Sequence, residues 1–136
     1  MGRVFFNTRK NVVDIAAAYT VLPGDSGTVF MINQASAFAI SLPNAATALV
    51  GFNCRFILGT AAANAVTIIA TDADGDNIIA RGLDMEDGAV GSETQAADVI
   101  TFISGALAGD EVSLITDGTT WFASSVASDA AHIAYS

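Results

Sequence analysis

Few side chains in this sequence could carry chemistry. There is one histidine, His132, and one cysteine, Cys54. A Ser/His/Asp or Cys/His nucleophilic system would have to use His132. It stands in Ala130-Ala131-His132-Ile133 with no recognisable partner motif. Cys54 shares the large-apolar side of its run with Phe52 and Phe56, the place of a buried small hydrophobe. One Cys and one His fall short of the four ligands of a structural zinc site, and a lone cysteine forms no intrachain disulfide. Asp72, Asp74 and Asp76 lie in Asp-Ala-Asp-Gly-Asp-Asn, where alternate carboxylates could converge on a hard cation such as Ca²⁺. The EF-hand pattern is not met, since its Gly would fall at Asn77 and its Glu at Leu83. A charged hairpin turn is the expectation there, with calcium as the alternative. Asp84, Glu86 and Asp87 supply carboxylates but no aromatic or polar cleft for a glycosidase pair. Gly24-Asp25-Ser26-Gly27 lacks the Lys and the helix of a phosphate loop and reads as a turn. Trp121, after an Asp-Gly turn, reads as core. The expectation is a chain with no catalytic residue and no cofactor.

The elements that would hold these residues are strands. Phe38, Ile40 and Leu42 alternate with Ala37, Ala39 and Ser41, and Pro43-Asn44 ends the run. Phe52, Cys54, Phe56 and Leu58 alternate with Asn53, Arg55 and Ile57 up to Gly59. Val112 and Leu114 alternate with Glu111 and Ser113; Asp117-Gly118 then turns the chain into Thr119-Thr120-Trp121-Phe122, which predicts a hairpin. Runs such as Val29–Ile32, Val66–Ile69 and Val99–Ile103 are apolar on both sides and predict strands covered on both faces. Asn44 to Val50 predicts a helical turn capped by Asn44, and Asp14 to Tyr19 predicts strand. No internal repeat is obvious. The expected fold is all-β, an antiparallel sandwich or small jelly-roll-like barrel with an extended N-terminal arm. Residues 1–18 form the arm and first strand; residues 19–136 form a single β domain.

Composition says what such a domain must do with its surface. Apolar residues make up 52% of the 136 and charged residues only 14%, well under the roughly 25% usual for soluble domains. The stretch Ser26–Cys54 is uncharged but broken by Asn33, Gln34, Ser36, Ser41, Pro43, Asn44 and Asn53, so no membrane span is expected. The excess apolar surface therefore predicts contact between subunits. MGRVFFNTRKN has no apolar export region, which predicts synthesis in the cytoplasm. Net charge is −9, against direct nucleic-acid binding. Three of the five bases, Arg3, Arg9 and Lys10, lie in the first ten positions, whereas Asp72–Asp98 holds eight acids and one base, Arg81. A basic arm and an acidic body predict neighbours of opposite sign, although both would also serve as solvated surface.

Two long passages look familiar. One runs Tyr19-Thr20-Val21-Leu22-Pro23-Gly24-Asp25-Ser26-Gly27-Thr28-Val29-Phe30-Met31-Ile32-Asn33, then through Ala39-Ile40-Ser41-Leu42-Pro43 to Gly51-Phe52-Asn53-Cys54-Arg55-Phe56; the other is Asp117-Gly118-Thr119-Thr120-Trp121-Phe122. Together, over roughly Tyr19 to Ala123, they resemble β-rich modules of tailed-phage virions, found in capsid decoration (cement) proteins and in fibre or spike proteins. The resemblance implies a homotrimeric β module on a phage particle. The short chain, without a shaft-forming segment or C-terminal receptor domain, and the basic arm favour the capsid surface. Its partner there would be the major capsid protein, bridged between capsomers. Arg3, Val4, Phe5, Phe6, Arg9 and Lys10 are the candidate docking residues, with Phe5 and Phe6 as apolar anchors; Arg3–Phe6 would otherwise be an ordinary first strand. A tail fibre or spike module that binds surface glycan through a loop at Ala80–Ala97 is the second expectation.

Overall fold

The computed structural model describes residues 10–70, 78–88 and 90–136. Two mixed sheets pack face to face as an all-β sandwich, as the alternation predicts. The first half of the chain winds between them. Strands β1 (Asn11–Ile15), β3 (Thr28–Ile32) and β5 (Asn53–Leu58) lie side by side in one sheet. Strands β2 (Tyr19–Thr20), β4 (Phe38–Leu42) and β6 (Val66–Ala70) lie side by side in the other. Each neighbouring pair in both groups is parallel. The chain thus makes three stacked two-strand rungs, and each rung puts one strand into each sheet. A chain that changes sheet at every link returns to its first sheet running the same way, so these strands cannot pair as hairpins. This is the main departure from the antiparallel expectation. It also supplies a repeat that the sequence hides, because the rungs differ in length: Asn11 pairs with Thr28, and Thr28 with Cys54.

The second half closes the stack. Strands β7 (Ile78–Asp84) and β8 (Val90–Ala97) pair antiparallel, and β9 (Val99–Phe102) crosses to the second sheet. Strands β10 (Glu111–Thr116) and β11 (Trp121–Ala127) form the predicted hairpin, with Thr116 opposite Trp121. Strand β12 (Ile133–Tyr135) ends the chain. The seven-stranded sheet reads β1-β3-β5-β10-β11-β7-β8, and the five-stranded sheet reads β12-β9-β6-β4-β2. Of the ten strand pairs among the described residues, five are parallel and five antiparallel.

Parallel register stacks like side chains from rung to rung. Ile15, Ile32 and Leu58 make one buried ladder. Phe30 and Phe56 make another, with rings 5.0 Å apart and nearly parallel. In the facing sheet Ile40, Ile68 and Ile100 stand in one buried row. Trp121 is buried, as expected, edge-on to Phe52 at 5.6 Å. The Ser125 and Tyr135 hydroxyls meet at 2.6 Å, joining the two sheets across the core. The Asn44 turn also forms as expected: the Asn44 side chain accepts the Ala46 N–H at 2.9 Å and caps α1 (Ala45–Ala48). The Asp14–Tyr19 segment is not one strand. It breaks at residues 16–18, where the chain leaves one sheet for the other.

Candidate functional site

Among the described residues, the candidates for chemistry make hydrogen bonds within the fold or are buried in it. Asp110 is buried at the start of β10. Its Oδ2 accepts the Leu107 N–H at 2.9 Å and faces His132 Nδ1 at 2.9 Å. Its Oδ1 accepts the Ser128 N–H and the Ser128 hydroxyl, each at 2.8 Å. Ser128 Oγ lies 2.9 Å from His132 Nδ1. A Ser, a His and an Asp therefore meet, but not in relay order. A relay needs the serine on one ring nitrogen and the carboxylate on the other. Here both lie on Nδ1. The arrangement that satisfies all three has the Ser128 hydroxyl donating to the Asp110 carboxylate and the imidazole Nδ1–H as a donor, so Nδ1 is not placed as a base towards Ser128. The cluster clasps the link between β11 and β12 onto the start of β10.

Cys54 is buried, and burial pushes its thiol up to about 12, so it presents no thiolate near neutrality. Asp84 is buried at the end of β7 and accepts the Glu86 N–H at 2.8 Å, closing the turn that follows. The Asp84, Glu86 and Asp87 carboxylates thus belong to a turn. Gly24–Gly27 is a turn too: Asp25 accepts the Leu22 N–H at 2.8 Å, and Gly27 takes a positive φ. Asp72, Asp74 and Asp76 lie outside the described residues. No cluster of three metal-binding side chains occurs among the described ones.

A different feature stands out on the outer face of the seven-stranded sheet. A cleft of about 470 Å³ crosses β3, β5, β10 and β11, lined outward by Val29, Arg55, Ser113, Ile115, Phe122 and Ser124. Strand parity makes this face, since Cys54, Phe56, Val112 and Leu114 point to the core and their neighbours point out. Ile115 and Phe122 are directly opposite across the hairpin and are 50% and 39% exposed. Arg55 pairs with Glu111 beside them. Lys10 stands at the rim of the cleft. Of the candidate docking residues, Lys10 alone is described; Arg3, Val4, Phe5, Phe6 and Arg9 lie outside the described residues. Arg81 lies outside the cleft in the same cross-strand row as Val29, Arg55, Ser113 and Ser124, opposite Ser124. The three described cations thus share one face. Ile115 and Phe122 escape a sequence reading because alternation marks them only as outward; their pairing across the hairpin is the signal that finds them. The proposed glycan loop, Ala80–Ala97, is instead mostly β7 and β8, paired strands around a short turn. No helix among the described residues is long and apolar enough to cross a membrane.

No protein-family profile matches the chain, and no curated protein or solved structure matches it.

Proposed function

We propose that this chain is a structural virion protein, a capsid decoration (cement) protein that binds the outer surface of a phage head and bridges capsomers. The observation that carries docking is the outer face of the seven-stranded sheet: an apolar cleft with exposed Ile115 and Phe122, lined also by Lys10 and Arg55. An exposed aromatic beside arginine on a flat scaffold is the usual composition of a binding hot spot. The phage head as the partner rests on the sequence resemblance. A bridging protein adds contact area between capsomers and so raises the work needed to part them, and copies linked to one another gain by avidity.

The test is co-sedimentation with purified expanded heads, with negative-stain microscopy to locate the bound copies. A chain lacking residues 2–9 leaves β1 whole and should lose binding by tenfold or more while its circular dichroism is unchanged. Phe122→Glu should do the same. Binding retained by both variants overturns the docking face, and label at the tail tip in place of the shell favours the fibre or spike reading.

A further inference from the structure

The described residues begin at Lys10, and Lys10 lines the cleft. The strand register explains how. Asn11 pairs with Thr28 and Thr28 with Cys54, so Lys10, Gly27 and Asn53 lie one step ahead in a common outward row. The row continues to Ile115 and Phe122, the exposed apolar pair. Between Lys10 and that pair the floor is low: Gly27 has no side chain, and a Cβ placed there would meet nothing within 4 Å. A trough thus leads from the point where the chain enters β1 to the apolar pair on β10 and β11. Ser113 and Ser124 put hydroxyls along its side.

The sequence ahead of Lys10 is Met-Gly-Arg-Val-Phe-Phe-Asn-Thr-Arg, with one apolar run, Val4-Phe5-Phe6. In the sheet order β10 stands three strand spacings from β1 and β11 stands four, about 14 and about 19 Å at about 4.8 Å each. A chain laid across the sheet in extended form rises about 3.3 Å per residue, so it reaches β10 after about four residues and β11 after about six. Counted back from Lys10, those residues are Phe6 and Val4. Parity agrees with distance. Successive side chains of an extended backbone alternate and Lys10 is on the cleft side, so Phe6 and Val4 would share its side while Arg3, Phe5 and Arg9 take the other. We propose that residues 3–9 of this chain are the occupant of the cleft, with Phe6 against Ile115 and Val4 against Phe122.

The contact suits both sides. The apolar run and the exposed pair lose water together. A segment that crosses the strands cannot join their ladder, and its peptide groups turn to solvent and to the Ser113 and Ser124 hydroxyls. Arg3 and Arg9 come to rest on a chain that is acidic as a whole. The tether supplies the rest. A short segment fixed at one rim of the cleft faces it at an effective concentration in the millimolar range, so a contact too weak to persist between separate molecules is formed most of the time. The seat rests on the docking reading for its use, and not for its geometry. It deepens that reading, because the face presented to a shell becomes the arm on its seat, with Arg3, Phe5 and Arg9 outward.

Nuclear magnetic resonance on the isotope-labelled full chain tests this. The Val4 methyls and the Phe6 ring should show Overhauser contacts to Ile115 and Phe122. No contact from residues 3–9 to either one, or contacts that arise only between labelled and unlabelled copies in a mixed sample, overturns the proposal. Trypsin reads the same seat. Phe122→Glu and Ile115→Glu should each quicken cleavage after Arg3 and Arg9 by about tenfold, because cleavage follows the population of the open form. Circular dichroism reports that the fold is kept. Phe6→Ser, which leaves the sandwich untouched, should quicken cleavage likewise. Met85→Glu, at an exposed side chain in the turn after β7, should not. Cleavage unchanged in Phe6→Ser and in both cleft variants overturns the seat. Head binding is read separately: heads that fail to bind wild type overturn the decoration reading and leave the seat standing, whereas bound heads with no arm contact overturn the seat alone.

Discussion

Asp110 is an almost fully buried carboxylate whose neighbours are two backbone N–H groups, a hydroxyl and an imidazole. Removing such a group strands several donors in a dry site, so Asp110→Ala should lower stability by about 3 kcal/mol. Asp110→Asn keeps an acceptor and should lose less. Urea unfolding of the two variants checks the order, and equal losses would mean that volume, not hydrogen bonding, holds the clasp. Cys54 makes a second prediction. Its thiol titrates near 9 when unfolded and near 12 when folded, because burial disfavours the thiolate. The stability tied to this group is complete below pH 9. It declines as pH rises from about 9 to 12, since the unfolded chain alone releases the proton there, at about 1.4 kcal/mol per pH unit. Tyr19 and Tyr135 titrate above their ordinary values, chiefly through burial, and add to the same alkaline loss. Cys54→Ala should flatten the first part of the decline in unfolding free energy measured from pH 8 to 10.5.

At the scale of elements, the link between β4 and β5 holds the one non-glycine residue with positive φ among those described, Leu49 at φ 70° and ψ 158°. The ends of this link are pinned: Phe52 N–H donates to Leu49 O, and Gly51 N–H donates to Thr116 O. Leu49 is 68% exposed, so its side chain gains little from burial to offset a backbone conformation that suits glycine. Leu49→Gly should therefore raise stability by about 1 kcal/mol, after the extra chain entropy of glycine is allowed for. An unchanged urea midpoint would mean that the link relaxes in solution. The Asp-Gly hairpin shows the opposite case, where local sequence and backbone agree. Asp117 accepts from the Thr120 N–H, the Thr119 hydroxyl and the Thr119 N–H, and these bonds hold its carboxyl below the usual range. That hairpin was legible in the sequence for this reason, as were β4 and β5, whose alternation records which side is buried. What alternation does not record is the direction of the partner strand. The Thr28 register reaches Asn11 on one side and Cys54 on the other, at unequal distances along the chain, so the three rungs leave no periodic trace. The cleft was legible only through Lys10, because a row such as Val29, Arg55, Ser113 and Ser124 is assembled by pairing across four strands.

On the scale of the whole molecule, the bases ahead of the sandwich should set the salt response of docking. The seven-stranded sheet and its lead-in carry Lys10, Arg55 and Arg81 beside Asp14, Glu93 and Glu111, and Arg55 is already paired with Glu111. That face therefore offers apolar contact through Ile115 and Phe122 more than it offers net charge. Arg3 and Arg9 add positive charge in the sequence ahead of β1, and attraction between opposite charges weakens under screening, with a Debye length of about 30 Å at 0.01 M falling to about 3 Å at 1 M. Head co-sedimentation of the full chain should thus fall between 20 mM and 500 mM NaCl, on the order of tenfold for a few charge pairs, whereas a chain lacking residues 2–9 should bind weakly and with little dependence on salt. Equal salt dependence in the two chains would put the charged part of docking on the sandwich and not on the arm.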